Sequence, residues 1–425
     1  MGVARRTFLT STITSLAAPA LLRLARADAP QFTFKLHHFF SSVSSAHDRF
    51  LSPWARKVET DSGGRIRVDL FPSMQLGGQP THLYDQARDG AADIVWASLS
   101  QTPGRFPKAE LFELPFVPSR RALVSSKAFE DFAAVNLADE FREVHPICFS
   151  CADRGVIHAN RPVRTIEELR GLRLEVQTRF AEEAVHALGA GAVLMPNAQL
   201  AMAITAHVVN GCVVPWDMAP ALKLYDLLKA HTDFAEYSLS TRTFVLAMNK
   251  AAFDRLPPDL KAVIFNNSGQ VAAGMAGAMW DQSASAAADL VAERGGVITT
   301  LESDAVAHWR IAIEPVIQSW LKQVKERGID GGKLLASAHG LLAKYADVPE
   351  PPRPAKPAPQ PEEASIETAH SSKAGTTNTP RGPQAPTAGS TPGTQVSAAT
   401  PPPKPRWWEI WKSSVAPSPV SAARP

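Results

Sequence analysis

The sequence predicts an α/β fold, and two stretches of the chain carry that prediction. Residues 169–217 alternate between apolar, branched segments and amphipathic ones, in the order strand, helix, strand, helix, strand. Residues 31–71 have the same pattern and form one strand–helix–strand unit. Alternation of this kind predicts a parallel sheet, and such sheets bind ligands at the carboxyl ends of their strands.

The 169–217 stretch shows both periodicities. Its first strand alternates and is rich in branched side chains. Its first helix carries Phe180, Ala184 and Leu188 at four-residue spacing, which is typical of an amphipathic helix. The predicted elements here are strands at 171–176 and 193–195, an extended segment at 208–214, and helices at 179–188 and 198–206.

The remaining elements follow from the same reasoning, and the folded region is expected to end near Tyr345. We expect strands at 32–38, 65–71, 93–96, 146–152, 237–249 and 297–300, and helices at 46–61, 83–88, 122–135, 257–293 and 303–326.

The first 29 residues are typical of an export signal. Arg5 and Arg6 precede Phe8 and Leu9, as in twin-arginine signals, and an apolar run ends in a small-x-small cleavage pattern. We therefore expect the protein in the periplasm, with the mature chain starting at residue 30.

The composition is that of an ordinary globular protein. The chain has 425 residues, of which 45% are hydrophobic and 20% charged, and its net charge is +3. A charge this close to neutral gives no reason to expect nucleic-acid binding. No apolar run after the first thirty residues is long enough to span a membrane.

Residues 347–425 differ in composition from the rest. They are rich in Pro, Ala, Ser and Thr, which predicts a disordered tail. Trp407, Trp408 and Trp411 form a cluster near its end. Two interpretations stand side by side: a peptide that docks on a membrane interface or a partner, and a chance element with no role.

Several motifs resemble a known family. The 169–217 stretch contains GLRLEVQTR, ALGAGAVLMP, AMAITAHVVNG and PW, and earlier segments read SGGRIRVDLFPSMQLGG, DQARDGAADIVWASL and TPGRFPKAELFELPF. These resemble the solute receptors of TRAP-type tripartite transporters, the DctP-like kind. The resemblance covers residues 31 to about 345.

The resemblance implies a two-lobed periplasmic binding protein, type II-like, that closes by a hinge. We expect lobe I at 30–150, lobe II at 151–245, and residues 246–346 to return to lobe I and add the C-terminal helices. It implies a small organic acid as solute and a TRAP-type membrane permease as partner, with no cofactor, no metal and no enzymatic activity. No catalytic or phosphate-binding motif appears in the sequence.

The resemblance also identifies an unusual ligand site. Members of this family typically hold the ligand carboxylate with an arginine where this chain has Glu175. Either Arg179 or Arg154 supplies the guanidinium and Glu175 holds it in place, or Glu175 accepts a hydrogen bond from a cationic, zwitterionic or neutral ligand. In both cases a buried Glu175 needs a partner. A third interpretation has Glu175 facing solvent in a site that has lost its ligand.

Further candidates come from strand ends. Trp216 is either an aromatic wall of the site or a core residue, and Asn210 stands where the family often has an aspartate. His37 lies on the first strand, and Ser98 and Phe244 are expected at strand ends, one in each of the two lobes.

Cys148 and Cys151 form a Cys-x-x-Cys pair that has no second pair at metal-binding spacing. The pair is either redox-active, half of a zinc site, or two small residues on and beside a buried strand. The alternative overall function is an exported scaffold or sensor with a drifted ligand site, which docks through the tryptophans of its tail.

Overall fold

The computed structural model describes residues 29–353. The export signal, apart from its last residue, lies outside the described residues. So do the tail from residue 354 onwards and its tryptophan cluster.

The described residues contain eleven strands and twelve α-helices. The strands are β1 (Phe32–His38), β2 (Ile66–Phe71), β3 (Ile94–Ser98), β4 (Val144–Cys151), β5 (Gly155–Ala159), β6 (Arg173–Val176), β7 (Gly191–Leu194), β8 (Gly211–Pro215), β9 (Ala230–Phe234), β10 (Thr243–Asn249) and β11 (Val297–Leu301). The helices are α1 (Ser52–Asp61), α2 (Leu83–Asp89), α3 (Ala122–Asn136), α4 (Arg179–Ala187), α5 (Asn197–Thr205), α6 (Met218–Ala221), α7 (Leu224–Leu227), α8 (Lys250–Asp254), α9 (Pro258–Asn266), α10 (Gln270–Glu293), α11 (Ser303–Glu326) and α12 (Gly331–Lys344).

The strands form two sheets, one for each lobe. The first has the order β2-β1-β3-β10-β4 and the second β11-β9-β5-β8-β6-β7. In the first sheet only β10 runs antiparallel to its neighbours β3 and β4. Two short segments without helices or strands, at 152–154 and 235–242, connect the sheets, and the chain crosses a third time between β10 and β11, through α10. This confirms the predicted α/β fold with two lobes.

Strand β10 shows why the first sheet is buried on both sides. Val245 and Ala247 belong to one core cluster, whereas Phe244, Leu246 and Met248 belong to another. Successive side chains of a strand point to opposite faces, so a strand that is apolar throughout must be covered on both.

Two long helices connect the lobes. The first half of α10 packs on the first sheet through residues such as Trp280, and its second half packs on the second through Ala284 and Val291. Helix α11 does the reverse, with Trp309 in the second lobe and Trp320 in the first. The lobes therefore share two 24-residue helices in addition to the two crossover segments.

Three expectations need correction. Residues 246–346 do not all return to the first lobe: α10 ends on the second lobe, and β11 therefore joins the edge of the second sheet beside β9. The single helix expected at 257–293 is two helices, α9 and α10, because Gly269 between them has a φ of +59°, which is not helical. The extended segment expected from residue 208 begins only at Gly211, since His207 has a left-handed φ of 55°.

No helix between residues 29 and 353 is both long enough and apolar enough to cross a membrane.

The close contact between α10 and α3 generates a prediction. A Cβ added at Gly277 would lie 2.6 Å from the Cα of Leu123 and 2.9 Å from the carbonyl oxygen of Ala122. Gly277→Ala should therefore push the helices apart and lower the free energy of unfolding by about 1–3 kcal/mol.

Gly274→Ala is the matched control on the same helix. Its added Cβ would meet only the flexible end of Lys127, at 3.8 Å, so the helix propensity of alanine should raise stability by up to about 1 kcal/mol. Urea unfolding of both variants measures the difference. Equal stabilities would contradict the packing described here.

Candidate ligand-binding site

A small pocket lies where the chain crosses between the lobes. Part of its lining comes from the carboxyl ends of β6 and β8 and part from the crossover segments, which is where open sheets of this type bind ligands. The lining residues are Asp153, Gln177, Thr178, Val213, Pro215, Ser240, Thr241 and Arg242.

Arg242 is the positively charged residue among those that line the pocket, and it was not among the ligand-binding residues predicted from the sequence. Its Nε is buried without a hydrogen-bond partner within residues 29–353, and its guanidinium carbon lies 5.8 Å from the centre of the Phe244 ring. Burial lowers its pKa, an effect that the nearby carboxyl groups oppose. Arginine stays charged in proteins, so the pocket contains a guanidinium with donors to offer.

Four carboxyl groups lie near enough to Arg242 to oppose the lowering of its pKa, and burial raises the pKa of each of them. The pKa is about 6 for Asp217, about 7 for Glu113 and about 8 for Glu175, and that of Asp153 lies well above its usual range. Because burial disfavours the charged form of a carboxyl group, this shell carries less negative charge near neutral pH than its composition suggests.

The environment of Glu175 differs from two of the three sequence-based expectations, that it holds Arg179 or Arg154 in place and that it faces solvent. Its side chain on β6 is fully buried, and neither of its oxygens has a hydrogen-bond partner within the described residues. It therefore neither faces solvent nor holds Arg179 or Arg154. Burial raises its pKa to about 8, with Arg242 opposing the shift, so Glu175 is mainly a neutral acid at pH 7. Protonation removes most of the cost that an unpaired buried carboxylate would carry.

The two arginines named as replacement anchors have protein partners. Arg179 donates to Oε2 of Glu110 at 3.2 Å and to Oε1 of Gln323 at 3.1 Å. Arg154 donates two hydrogen bonds to Asp233, from Nε to Oδ1 at 2.9 Å and from Nη2 to Oδ2 at 2.7 Å. Neither residue is among those that line the pocket.

Three other candidates also have partners in the protein. Trp216 is fully buried and donates its indole N–H to Oδ2 of Asp233 at 3.2 Å. The side-chain oxygen of Asn210 accepts from the backbone N–H of Arg173 at 2.8 Å. His37 uses both ring nitrogens, one toward Oε1 of Gln86 at 2.6 Å and the other toward the N–H of Leu76 at 3.3 Å. Their ligand-binding roles remain predictions, and the structure shows a supporting contact for each.

Phe244 was expected in the second lobe, but it pairs with Ser98 in the first sheet, so both residues belong to the first lobe. Phe244 belongs to a cluster of rings that we call the aromatic wall, and its ring centre lies 4.8 Å from that of Trp96. Phe39 and Phe40, which directly follow β1, form the partly exposed border of this wall. The aromatic wall consists of Phe39, Phe40, Trp96, Phe244 and Trp280.

The signals for these residues were present in the sequence. Phe39 and Phe40 stand at the end of a predicted strand, and Arg242 is the basic residue just before the apolar run at 243–248. Only the sheet order shows that these positions face the same junction, since β10 pairs with β3 although some 150 residues separate them.

Cys148 and Cys151 are free and buried. They stand three residues apart on β4 and belong to different core clusters, on opposite faces of the sheet. The structure therefore does not support a redox pair or a half zinc site. Within residues 29–353 no three His, Cys, Asp or Glu side chains are grouped to hold a metal ion.

The raised pKa of Glu175 predicts a pH dependence of stability. The folded protein binds a proton at Glu175 up to about pH 8, whereas the unfolded chain releases it near pH 4.5. Stability from this group is therefore complete below pH 4.5 and is lost as the pH rises through 8.

Glu175→Gln replaces the titratable group with a neutral one. The free energy of unfolding should then fall less steeply between pH 5 and pH 9, by a few kcal/mol at most. Urea unfolding midpoints across that range measure the effect. Parallel pH curves for the variant and the unchanged protein would show that Glu175 is not neutral in the folded state.

Comparisons with known proteins place this geometry in a family. Residues 36–323 match the bacterial extracellular solute-binding proteins, family 7 (DctP). A TRAP solute-binding protein from a marine metagenome, specific for aromatic acids and bound to metahydroxyphenylacetate, is 36% identical, with a TM-score of 0.69 over 74% of this chain and 99% of its own. One from Rhodoferax ferrireducens with copurified benzoate is 34% identical, with the same coverage and TM-score.

Among curated proteins, the C4-dicarboxylate-binding periplasmic protein DctP of Vibrio cholerae is 21% identical over 328 residues, which are 74% of this chain and 93% of that protein. These relatives are binding proteins and not enzymes. The chain therefore belongs to the family 7 extracellular solute-binding proteins, the DctP family of TRAP-type receptors.

Proposed function

We propose that this protein is a TRAP receptor for a small aromatic monocarboxylate, and that Arg242 binds the carboxylate. The observation that carries the proposal is the guanidinium of Arg242, which lines the interlobe pocket and forms no hydrogen bond or ion pair within residues 29–353. A planar guanidinium fork can bind a carboxylate through two parallel hydrogen bonds.

The charge balance of the pocket supports one carboxylate rather than two. Arg154 and Arg179 are occupied by Asp233 and Glu110, so of these three arginines Arg242 is the one left for a ligand, and it is the cation that lines the pocket. The raised pKa values of Glu175 and Glu113, both caused by burial, limit the repulsion that an anion meets. A second ligand carboxylate would have no cation to meet it there.

The aromatic wall supports an aromatic ring. The Phe244 ring is the part of the wall that lies beside Arg242, so a ligand held by the guanidinium would extend along ring faces. Aromatic pairs are favourable beyond the area they bury. Similar receptors bind benzoate and hydroxybenzoate, and one from Bordetella bronchiseptica, 25% identical, binds mandelate.

Delivery would follow from closure of the lobes. Arg179 at the start of α4 reaches Glu110 of the first lobe, and Phe180 is buried in a core cluster of that lobe. A ligand that contacts both lobes favours the closed state over the open one. The closed receptor would then deliver its solute from the periplasm to a TRAP-type membrane permease.

The alternative function as a scaffold has less support. Its docking element, the cluster of Trp407, Trp408 and Trp411, lies outside the described residues, and the family match ends at residue 323. The buried and unpaired polar atoms around Arg242 favour a site that still binds a ligand.

Calorimetric titration with benzoate tests the anchor. Arg242→Gln should weaken binding about 100-fold, because it removes a charge-assisted hydrogen-bond pair. Arg179→Gln is the matched control and should change affinity by no more than about threefold, because Arg179 bonds to Glu110 and Gln323. A larger loss in Arg179→Gln than in Arg242→Gln would transfer the anchor to Arg179 and contradict the proposal.

A further inference from the structure

Two serine hydroxyl groups, those of Ser98 and Ser150, lie beside the aromatic wall, and the proposed carboxylate contact with Arg242 does not involve them. In the first sheet, Phe244 is directly opposite Ser98 on β3 and Ser150 on β4. Residues that are directly opposite on neighbouring strands project from the same face of the sheet. The Phe244 ring therefore has a serine on each side.

Both serines are buried without a partner. Ser98 is 4% exposed and Ser150 is fully buried, and neither Oγ has a hydrogen-bond partner within residues 29–353. Buried hydroxyl groups in native proteins are usually hydrogen-bonded, because leaving them unpaired costs free energy. The indole N–H groups of Trp96 and Trp280, in the same wall, are also buried and unpaired.

Ser98, Phe244 and Ser150 lie side by side across three strands, and we call them the serine row. The guanidinium of Arg242 lies near the Phe244 ring at the centre of this row. Arg242 directly precedes β10 and stands two positions before Phe244. The guanidinium carbon is 5.8 Å from the Phe244 ring centre. An aromatic acid held by Arg242 would therefore direct its ring, and any ring substituent, toward the serine row.

We propose that Ser98 and Ser150 select aromatic acids whose ring carries a hydroxyl group. This inference rests on the proposed function. A phenolic hydroxyl donates one hydrogen bond and accepts others, so it can bond to both serine hydroxyls at once. A site with unpaired polar groups rejects the analogue that lacks the matching hydroxyl more strongly than an apolar site does.

Calorimetric titration of the full chain with benzoate, 3-hydroxybenzoate and 4-hydroxybenzoate tests the inference. The unchanged protein should bind at least one hydroxybenzoate about tenfold more tightly than benzoate. Ser98→Ala and Ser150→Ala should each reduce this ratio to about threefold or less and leave the benzoate affinity nearly unchanged. Ser283→Ala is the control, because that hydroxyl bonds within α10 to the carbonyl oxygen of Met279 at 2.9 Å, and it should keep the full ratio.

Melting curves show whether each variant folds. If Ser150→Ala does not fold, Ser150→Cys replaces it, because a cysteine is similar in size to serine but hydrogen-bonds weakly. A ratio near one in the unchanged protein, or a full ratio in both serine variants, would overturn the selection while leaving the Arg242 anchor intact. If the unchanged protein binds none of the three acids, the proposed function itself fails, and this inference fails with it.

Discussion

The site depends on one guanidinium held among carboxyl groups whose negative charge burial reduces and none of which forms a hydrogen bond or close ion pair with it. Arg154 shows the ordinary arrangement, because it forms a close ion pair with Asp233. Arg242 has no such pair within the described residues, and the carboxyl group of Glu175 nearby has none either. A buried charge without a hydrogen-bonded partner is costly, so an arrangement of this kind points to a ligand anion as the missing partner.

The fold places Arg242 in a segment that connects the two lobes and lines the pocket between them. Its carbonyl oxygen accepts a hydrogen bond from the N–H of Ala152, and the hydroxyl of Thr241 donates to the carbonyl oxygen of Ala152, so the two crossover segments are bonded to each other. Gly155 allows this approach, because an added Cβ would lie 2.9 Å from the carbonyl oxygen of Ser240. Arg242 therefore lies in a segment that connects the two lobes, near both the Phe244 ring and the buried carboxyl groups.

Sequence patterns predicted local structure well and long-range contacts poorly. Branched alternation located β6 and the other core strands, and the family motifs gave the two lobes. The placement of β11 on the second sheet and the break at Gly269 depend on where α10 ends and on one backbone angle, which periodicity does not encode. The charge reversal at Glu175 was recognised, but its consequence was not. Burial alters the protonation of Glu175, and the cation that acts on it comes from the segment before β10, about 70 residues further along.

A crystal structure of the protein with 4-bromobenzoate tests the central claim most directly, because the anomalous signal of bromine fixes the orientation of the ligand. The account predicts the carboxylate within hydrogen-bond distance of the Arg242 guanidinium and the bromine against the aromatic wall. A carboxylate bound to Arg179 or Arg154, with the Arg242 donors still free, would contradict it.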